Sequence, residues 1–286
     1  MKLGVSTYSL YQAIRSGEMD VLDVIDYIAE IGGQHVEIVP LGFTLIDNDS
    51  LIEAIKERAA SKGLEISNYA IGANFADKSG AELEQEIERV MREVDVAAKL
   101  GVKLMRHDVA SAQDTSFRHF SEQLPRLAEA CRRIADYAAD KGITTSVENH
   151  GRFIQASERV QALILATDRP NFKTTLDVGN FLCADEDPVI AVSNNISYAS
   201  MVHIKDFYIR PEDSTLNEGW FRSINGRYLR GAIVGQGDIN MRKVLGTIKG
   251  SGYDGYVSLE FEGIEPCKLG VRLGLNYIQT VWRELP

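Results

Sequence analysis

Four segments in the second half of this 286-residue chain each close on side chains that bind metal ions or move protons. They read Ser146-Val147-Glu148-Asn149-His150, Thr175-Leu176-Asp177-Val178-Gly179-Asn180, Val202-His203-Ile204-Lys205-Asp206 and Ser258-Leu259-Glu260-Phe261-Glu262. Side chains alternate along a strand, so Ser146 shares a face with Glu148, Thr175 with Asp177, and Ser258 with Glu260. The residue two before each carboxylate is small and polar, which suits a crowded inner surface just below a site. Met201 stands in that place before His203. Three converging carboxylates repel one another, so each must protonate, pair with a cation or bind a metal. With one imidazole beside them, Glu148, Asp177, His203 and Glu260 form a donor set for one hard or borderline divalent ion. Mn²⁺ or Mg²⁺ fits best, with Co²⁺ or Zn²⁺ next. The absence of cysteine from the set argues against a structural zinc.

Such a set converges only if the chain lines up the ends of successive strands. Eight short, β-branched runs read as buried parallel strands: Leu3–Thr7, His35–Val39, Glu65–Ala70, Lys103–Asp108, Thr144–Asn149, Phe172–Asp177, Ala199–Ile204 and Tyr256–Phe261. Amphipathic stretches alternate with them: Asp20–Ile31, Leu51–Lys62, Ala81–Leu100, Phe117–Lys141, Ser157–Thr167, Asp187–Val192, Met241–Lys249 and Val271–Trp282. Several of these end in glycine (Gly32, Gly63, Gly101, Gly142), which suits a left-handed helix cap. Strict alternation of this kind predicts one α/β domain over residues 1–286, a (β/α)₈ TIM barrel. An open doubly wound sheet would place a Gly-rich phosphate turn after the first strand, where this chain has Thr7-Tyr8-Ser9-Leu10. In a barrel the active site lies at the C-terminal strand ends, where the four donors fall. The connection from Asp206 to Ile239 is too long for a plain loop and reads as a lid or binding loop.

Other polar residues fall near the same mouth. Glu37 closes the second strand, and Arg106 and His107 close the fourth, placed to hydrogen-bond a substrate hydroxyl. Lys205 shares strand parity with His203 and suits either a developing oxyanion or an ion pair. His150 lies just past its strand, at the rim or behind the ligands. The long connection holds Arg210, Arg222, Arg227 and Arg230 beside Trp220 and Phe221. Arginine suits carboxylate or phosphate, and Arg210 is a candidate substrate contact, although a solvated or inter-subunit role also fits this group.

The formal net charge of −10 makes nucleic acid a poor partner. Cys131, Cys183 and Cys267 are widely spaced and read as free, buried thiols of a reducing compartment. The N-terminus lacks a signal-peptide pattern and no run is long and apolar enough to span a membrane, so the expected location is the cytoplasm.

The segments around Glu148, Asp177 and His203, together with Gly235-Gln236-Gly237-Asp238-Ile239 and Gly252-Tyr253-Asp254-Gly255-Tyr256-Val257-Ser258-Leu259-Glu260, resemble the xylose isomerase-like TIM barrels. The resemblance covers essentially the whole chain and is strongest from residue 144 onward. That superfamily includes sugar isomerases, ketose 3-epimerases, hydroxypyruvate isomerases, inosose dehydratases and the endonuclease IV group. The resemblance implies that Glu148, Asp177, His203 and Glu260 are the metal ligands, that Glu148 and Glu260 also serve as the acid/base pair, and that the barrel associates into homo-oligomers. Three residues after the metal aspartate, where many of the epimerases carry histidine, this chain has Asn180.

The expected substrate is therefore a small polyhydroxylated carbonyl compound. The expected activity is a sugar or sugar-acid isomerase or epimerase, with carboxylate-mediated proton transfer through a metal-stabilised enediolate. Expulsion of a β-hydroxyl from the same intermediate makes a dehydratase of an inosose-like or dehydroshikimate-like compound the second expectation. An endonuclease IV-like hydrolase ranks below both, because its multi-zinc site needs more histidines than His35, His107, His119, His150 and His203 supply. A non-catalytic metal-binding barrel ranks last.

Overall fold

Alternate residues of each short run turn to opposite sides, and both sides find something to bury against. The computed structural model describes residues 1–286. Eight strands form a closed barrel: β1 (Lys2–Ser6), β2 (His35–Ile38), β3 (Glu65–Ile71), β4 (Leu104–His107), β5 (Thr144–Glu148), β6 (Phe172–Asp177), β7 (Ala199–Ile204) and, after three further strands described below, β11 (Tyr256–Leu259). Each pairs in parallel with its neighbours, and β11 closes the ring between β7 and β1. Around the barrel lie α1 (Tyr11–Ser16), α2 (Val21–Glu30), α3 (Asp49–Ser61), α4 (Gly80–Leu100), α5 (Phe117–Ala139), α6 (Ser157–Thr167), α7 (Pro188–Asn195), α8 (Met241–Gly250) and α9 (Cys267–Glu284).

The helices form where the apolar spacing and the caps agree. In α2, Val21, Val24, Ile25 and Ile28 are buried on one face. Asp20 caps its first turn by accepting from the N–H groups of Leu22 and Asp23, while Asp23 accepts from the N–H of Asp20. The four glycines expected to end helices all have positive φ, from 67° to 87°. Outward-pointing strand residues such as Val147, Leu176, Val202 and Leu259 are fully buried beneath this layer. Each such side chain contributes about 1.5–3 kcal/mol on burial.

The inner face is polar. Ser146 and Thr175, from adjacent strands, share a hydrogen bond of 2.8 Å. Glu37, Asn68 and Ser258 are buried with them. This polar floor is the inner surface implied by the small residues that precede each carboxylate. The last barrel strand ends at Leu259, two residues before the expected end, yet the Glu260 N–H still donates to the Ile204 carbonyl at 3.0 Å. Its side chain therefore keeps the strand's aim.

The long connection is not a loop throughout, which corrects that expectation. It folds as an antiparallel sheet of β8 (Asp206–Arg210), β9 (Phe221–Arg222) and β10 (Tyr228–Ala232), in the order β8-β10-β9. Only Lys205 separates β7 from β8. The sheet hangs on buried Asp206, which accepts from the N–H groups of Phe207, Gly235, Gly237 and Ile239 at 2.9–3.3 Å. A Cβ on Gly237 would lie 2.2 Å from Asp206 Oδ1, so only glycine lets the backbone come this close. Cys131, Cys183 and Cys267 are free and buried, and no helix is long and apolar enough to cross a membrane.

Candidate functional site

The barrel turns the ends of four neighbouring strands toward one point. Register places Asp177 beside His203, His203 beside Ser258, and Glu148 beside Thr175. Glu148, Asp177, His203 and Glu260 are all buried, and one donor atom from each lies within 4.8 Å of all the others. His203 Nδ1 is 3.3 Å from Glu260 Oε1, 3.9 Å from Glu148 Oε1 and 4.0 Å from Asp177 Oδ2.

The donors fit a cation. His203 Nδ1 is a buried polar atom without a hydrogen-bond partner, and it faces this point, 4.0 Å from Asp177 Oδ2. Below, Glu37 holds His203 Nε2 with its two oxygens at 2.9 and 3.0 Å. Asn68 Nδ2 donates to Glu37 at 2.7 Å. A carboxylate on Nε2 fixes the proton there and leaves the Nδ1 lone pair directed at the carboxylates, the arrangement of a ligating histidine. Glu37 thus lies beneath the site rather than at the mouth, where it was expected from the strand end.

Electrostatics reflect the crowding. Burial, opposed by Lys205 and reinforced by Glu148 and Glu260, pushes Asp177 up to about 7. Glu148 is equally buried, yet Arg106 and His203 outweigh burial and hold it well below the usual carboxylate range. Lys205 Nζ lies 3.2 Å from Asp177 Oδ2, 3.1 Å from Glu260 Oε2 and 3.4 Å from Glu262 Oε2. The lysine is therefore an ion-pair hub at the edge of the donors. Asn180 donates its side-chain N–H to Glu148 Oε1 at 2.9 Å and its backbone N–H to Asp177 Oδ1 at 2.7 Å. Asn149 brackets Asp177 by exchanging two 2.8 Å bonds with its main chain.

Above the donors opens a cavity of about 440 Å³. This is within the range of small-molecule sites, roughly 300–1,000 Å³. Arg106 lines it, with Nη2 2.5 Å from Glu148 Oε2 and 3.0 Å from Asp108 Oδ1. His150 also lines it, with Nδ1 3.4 Å from Asp108. Two expected substrate contacts fall elsewhere. His107 has the opposite strand parity from Arg106. It is fully buried between Phe75 and Phe172, with Nδ1 2.9 Å from the Asp108 carbonyl. Arg210 lies half-exposed on β8, paired with Asp238 at 3.0 Å, and does not reach the cavity lining. Of the other histidines, His35 is buried against Val257 and His119 pairs with Asp77, so neither adds a donor to the centre.

Several lining residues carry little sequence signal. Tyr8, just past β1, donates its hydroxyl to Glu262 at 2.9 Å. The strand-end rule applied to β1 would have pointed to it. Arg152 and Gln155, in the turn after β5, have no comparable marker.

This fold matches known proteins. The chain belongs to the xylose isomerase-like TIM barrel family, whose model matches residues 25–281. It is 23% identical over 224 residues to an inosose dehydratase of Geobacillus thermodenitrificans, covering 73% of this chain and 72% of the relative. Two solved structures share the fold. A 3-keto-D-glucoside 4-epimerase of E. coli superposes with a TM-score of 0.74 at 19% identity, covering 98% of this chain and 99% of that one. A probable 3-DHS dehydratase of Bacillus anthracis superposes with a TM-score of 0.72 at 17% identity, with the same coverage of 98% and 99%.

Proposed function

We propose that the protein is a divalent-metal-dependent lyase that removes water from a small polyhydroxylated ketone. The reading rests on one contact, the 2.5 Å pairing of Arg106 Nη2 with Glu148 Oε2. A guanidinium stays charged at any working pH and does not yield its partner. Glu148 therefore serves as a held ligand, and Glu260, whose neighbours Lys205 and His203 can give up a proton as a guanidinium does not, is the carboxylate that moves protons. One mobile carboxylate suits elimination better than epimerisation, which needs proton transfer on both faces of a carbon. This reverses the order of the two leading expectations from the sequence, and the inosose dehydratase relative supports the reversal.

Glu148, Asp177, His203 and Glu260 would hold a divalent ion, Mn²⁺ or Mg²⁺ being the best match to three carboxylates and one imidazole, and it would supply Lewis-acid polarisation of the substrate carbonyl. The chain's own groups do the rest. Glu260 takes the proton from the carbon beside the carbonyl, and the C–H electron pair becomes the enolate double bond. Lys205, 3.1 Å from Glu260, stabilises the negative charge on the enolate oxygen. As the carbonyl re-forms, the pair enters a new C–C double bond and the β-hydroxyl leaves with its bonding pair. The proton held by Glu260 completes the water. Arg106 and Asn180 keep Glu148 fixed throughout.

A second reading, an isomerase or epimerase, draws on the proximity of Glu148 and Glu260 within one donor cluster. Proton NMR in D₂O separates the two. Inososes, ketoses and keto acids are incubated with the Mn²⁺-loaded protein and with an EDTA control. Metal-dependent deuterium uptake with a product one water lighter supports the lyase. A product of unchanged composition, with a moved carbonyl or an inverted centre, supports the isomerase or epimerase. No exchange across the panel sinks both.

A further inference from the structure

The cavity's cations are not balanced alike. Arg106, His150, His203 and Lys205 each have a carboxylate within 4.0 Å. In the β8–β10 region, Arg210, Arg227 and Arg230 are likewise paired, with Asp238, Asp185 and Glu265. Two cavity arginines have no such partner. Arg222 is spent locally: its guanidinium lies 4.3 Å from the Tyr228 ring, donates to the Tyr228 hydroxyl at 2.6 Å and donates to the Gly226 carbonyl at 3.0 Å. Arg152 is different. Its Nη2 donates to the Arg222 carbonyl at 2.8 Å, and its Nε and Nη1 have no protein acceptor. A guanidinium with two donors free, exposed at the mouth of a site in a chain of net charge −10, suits an anionic group.

The backbone points the same way. Arg152 has φ of 67°, in the left-handed region. The four other non-glycine residues with positive φ are all aspartates, a type that tolerates this conformation. With Gly151 at 74° it makes the tip of a turn closed by the His150–Ile154 bridge. Glycine would occupy the Arg152 position without strain. The turn is held by buried Phe153, which packs on His119 and Phe120, and by Gln155, whose side chain accepts from the Arg152 N–H at 2.8 Å. An arginine in this backbone conformation at a cavity edge, its N–H bonded to Gln155, reads as functional placement.

We infer that Arg152 binds an anionic substituent, carboxylate or phosphate, on the substrate, so that the natural substrate is an acidic sugar derivative rather than a neutral one. The inference rests on the proposed function for the location of the reacting carbon.

The test uses the Mn²⁺-loaded protein and three non-reacting polyols titrated by calorimetry: sorbitol, D-gluconate and sorbitol 6-phosphate. At least one anion should bind roughly tenfold or more tighter than sorbitol. Whether gluconate or the phosphate gains identifies the group. Arg152→Gln, which keeps a donor for the Arg222 carbonyl, should erase the preference and move the sorbitol Kd by less than about twofold. Arg152→Lys should keep part of it, and thermal melts report whether either variant is folded. Equal affinities, no binding of either anion, or a preference that survives Arg152→Gln would overturn the inference. Its failure leaves metal-dependent C–H exchange intact. Failure of the proposed function abolishes exchange while the anion preference stands.

Discussion

Glu37 grips His203 Nε2 from below, with oxygens at 2.9 and 3.0 Å and both side chains buried. This carboxylate sets which ring nitrogen is free. Glu37→Gln keeps the volume but weakens the hold on the tautomer. Affinity for Mn²⁺ is expected to fall roughly 10–100-fold, measured by competition with a chelator. A change under about twofold would make Glu37 a packing residue only.

Glu148 and Glu260 are expected to differ when each is changed to glutamine. At saturating Mn²⁺, Glu148→Gln should regain part of the deuterium exchange, since under the proposed function its part is to hold metal. Glu260→Gln should stay low by a factor on the order of 10²–10⁴, the usual contribution of a positioned proton carrier. Equal recovery by both would return the two-carboxylate epimerase to first place.

Arg106→Ala leaves Glu148 buried beside other carboxylates with its strongest cation gone. Metal-free protein should lose about 3–5 kcal/mol of stability, read by urea denaturation. Saturating Mn²⁺ should restore part of it, because a bound cation takes up the same charge. A loss of similar size with and without metal would show that packing, not charge, holds Arg106 there.

Acid should unfold the protein partly through two core histidines. Burial lowers His35 and His107 to about 4 each, from an ordinary 6.5. Between those values the unfolded chain takes up protons that the folded one refuses, so stability is lost as pH falls from about 6.5 to about 4. At the acid limit each group removes about 3 kcal/mol. His107→Asn should flatten the pH dependence of the urea midpoint in this window; an unchanged slope would mean that other groups dominate it.

Gly237→Ala tests the Asp206 bracket. The added methyl meets Asp206 Oδ1 and the Phe207 carbonyl, so the backbone must move. A loss of about 1–3 kcal/mol is expected. Limited proteolysis should show faster cutting between residues 206 and 239.

Much of this site is legible in the sequence because a barrel strand carries so little freedom. Once Glu148, Asp177 and His203 end neighbouring parallel strands, alternation and closure leave them one direction to face, and Glu260 inherits it one residue beyond β11. Arg106 and His107 show the limit. Alternation says that one of two adjacent residues faces inward, and only the register with β3 and β5 selects Arg106. Arg210 is visible as a cation, but its neutralisation by Asp238 depends on a fold-back that the local pattern does not carry. The sheet of β8, β9 and β10 escapes for the same reason. Its strands pair across turns in which short polar runs hide the period. Arg152 has no sequence mark because an unusual backbone angle marks itself only when glycine provides it.

The four clustered donors come from β5, β6, β7 and the turn after β11, which are contiguous around the ring. Tyr8, Val39, Gly72, Arg106 and Asp108 sit on the other half of the cavity wall, at the ends of β1 to β4. The four donors thus occupy one arc of the rim, and two of the side chains that fix them, Glu37 and Arg106, rise from the other. Such a division lets the loops after β1 to β3 change without displacing a donor. Glu37 and Arg106 are the parts that would have to travel with the donor arc, since one reaches across the barrel floor to steady His203 and the other pairs with Glu148.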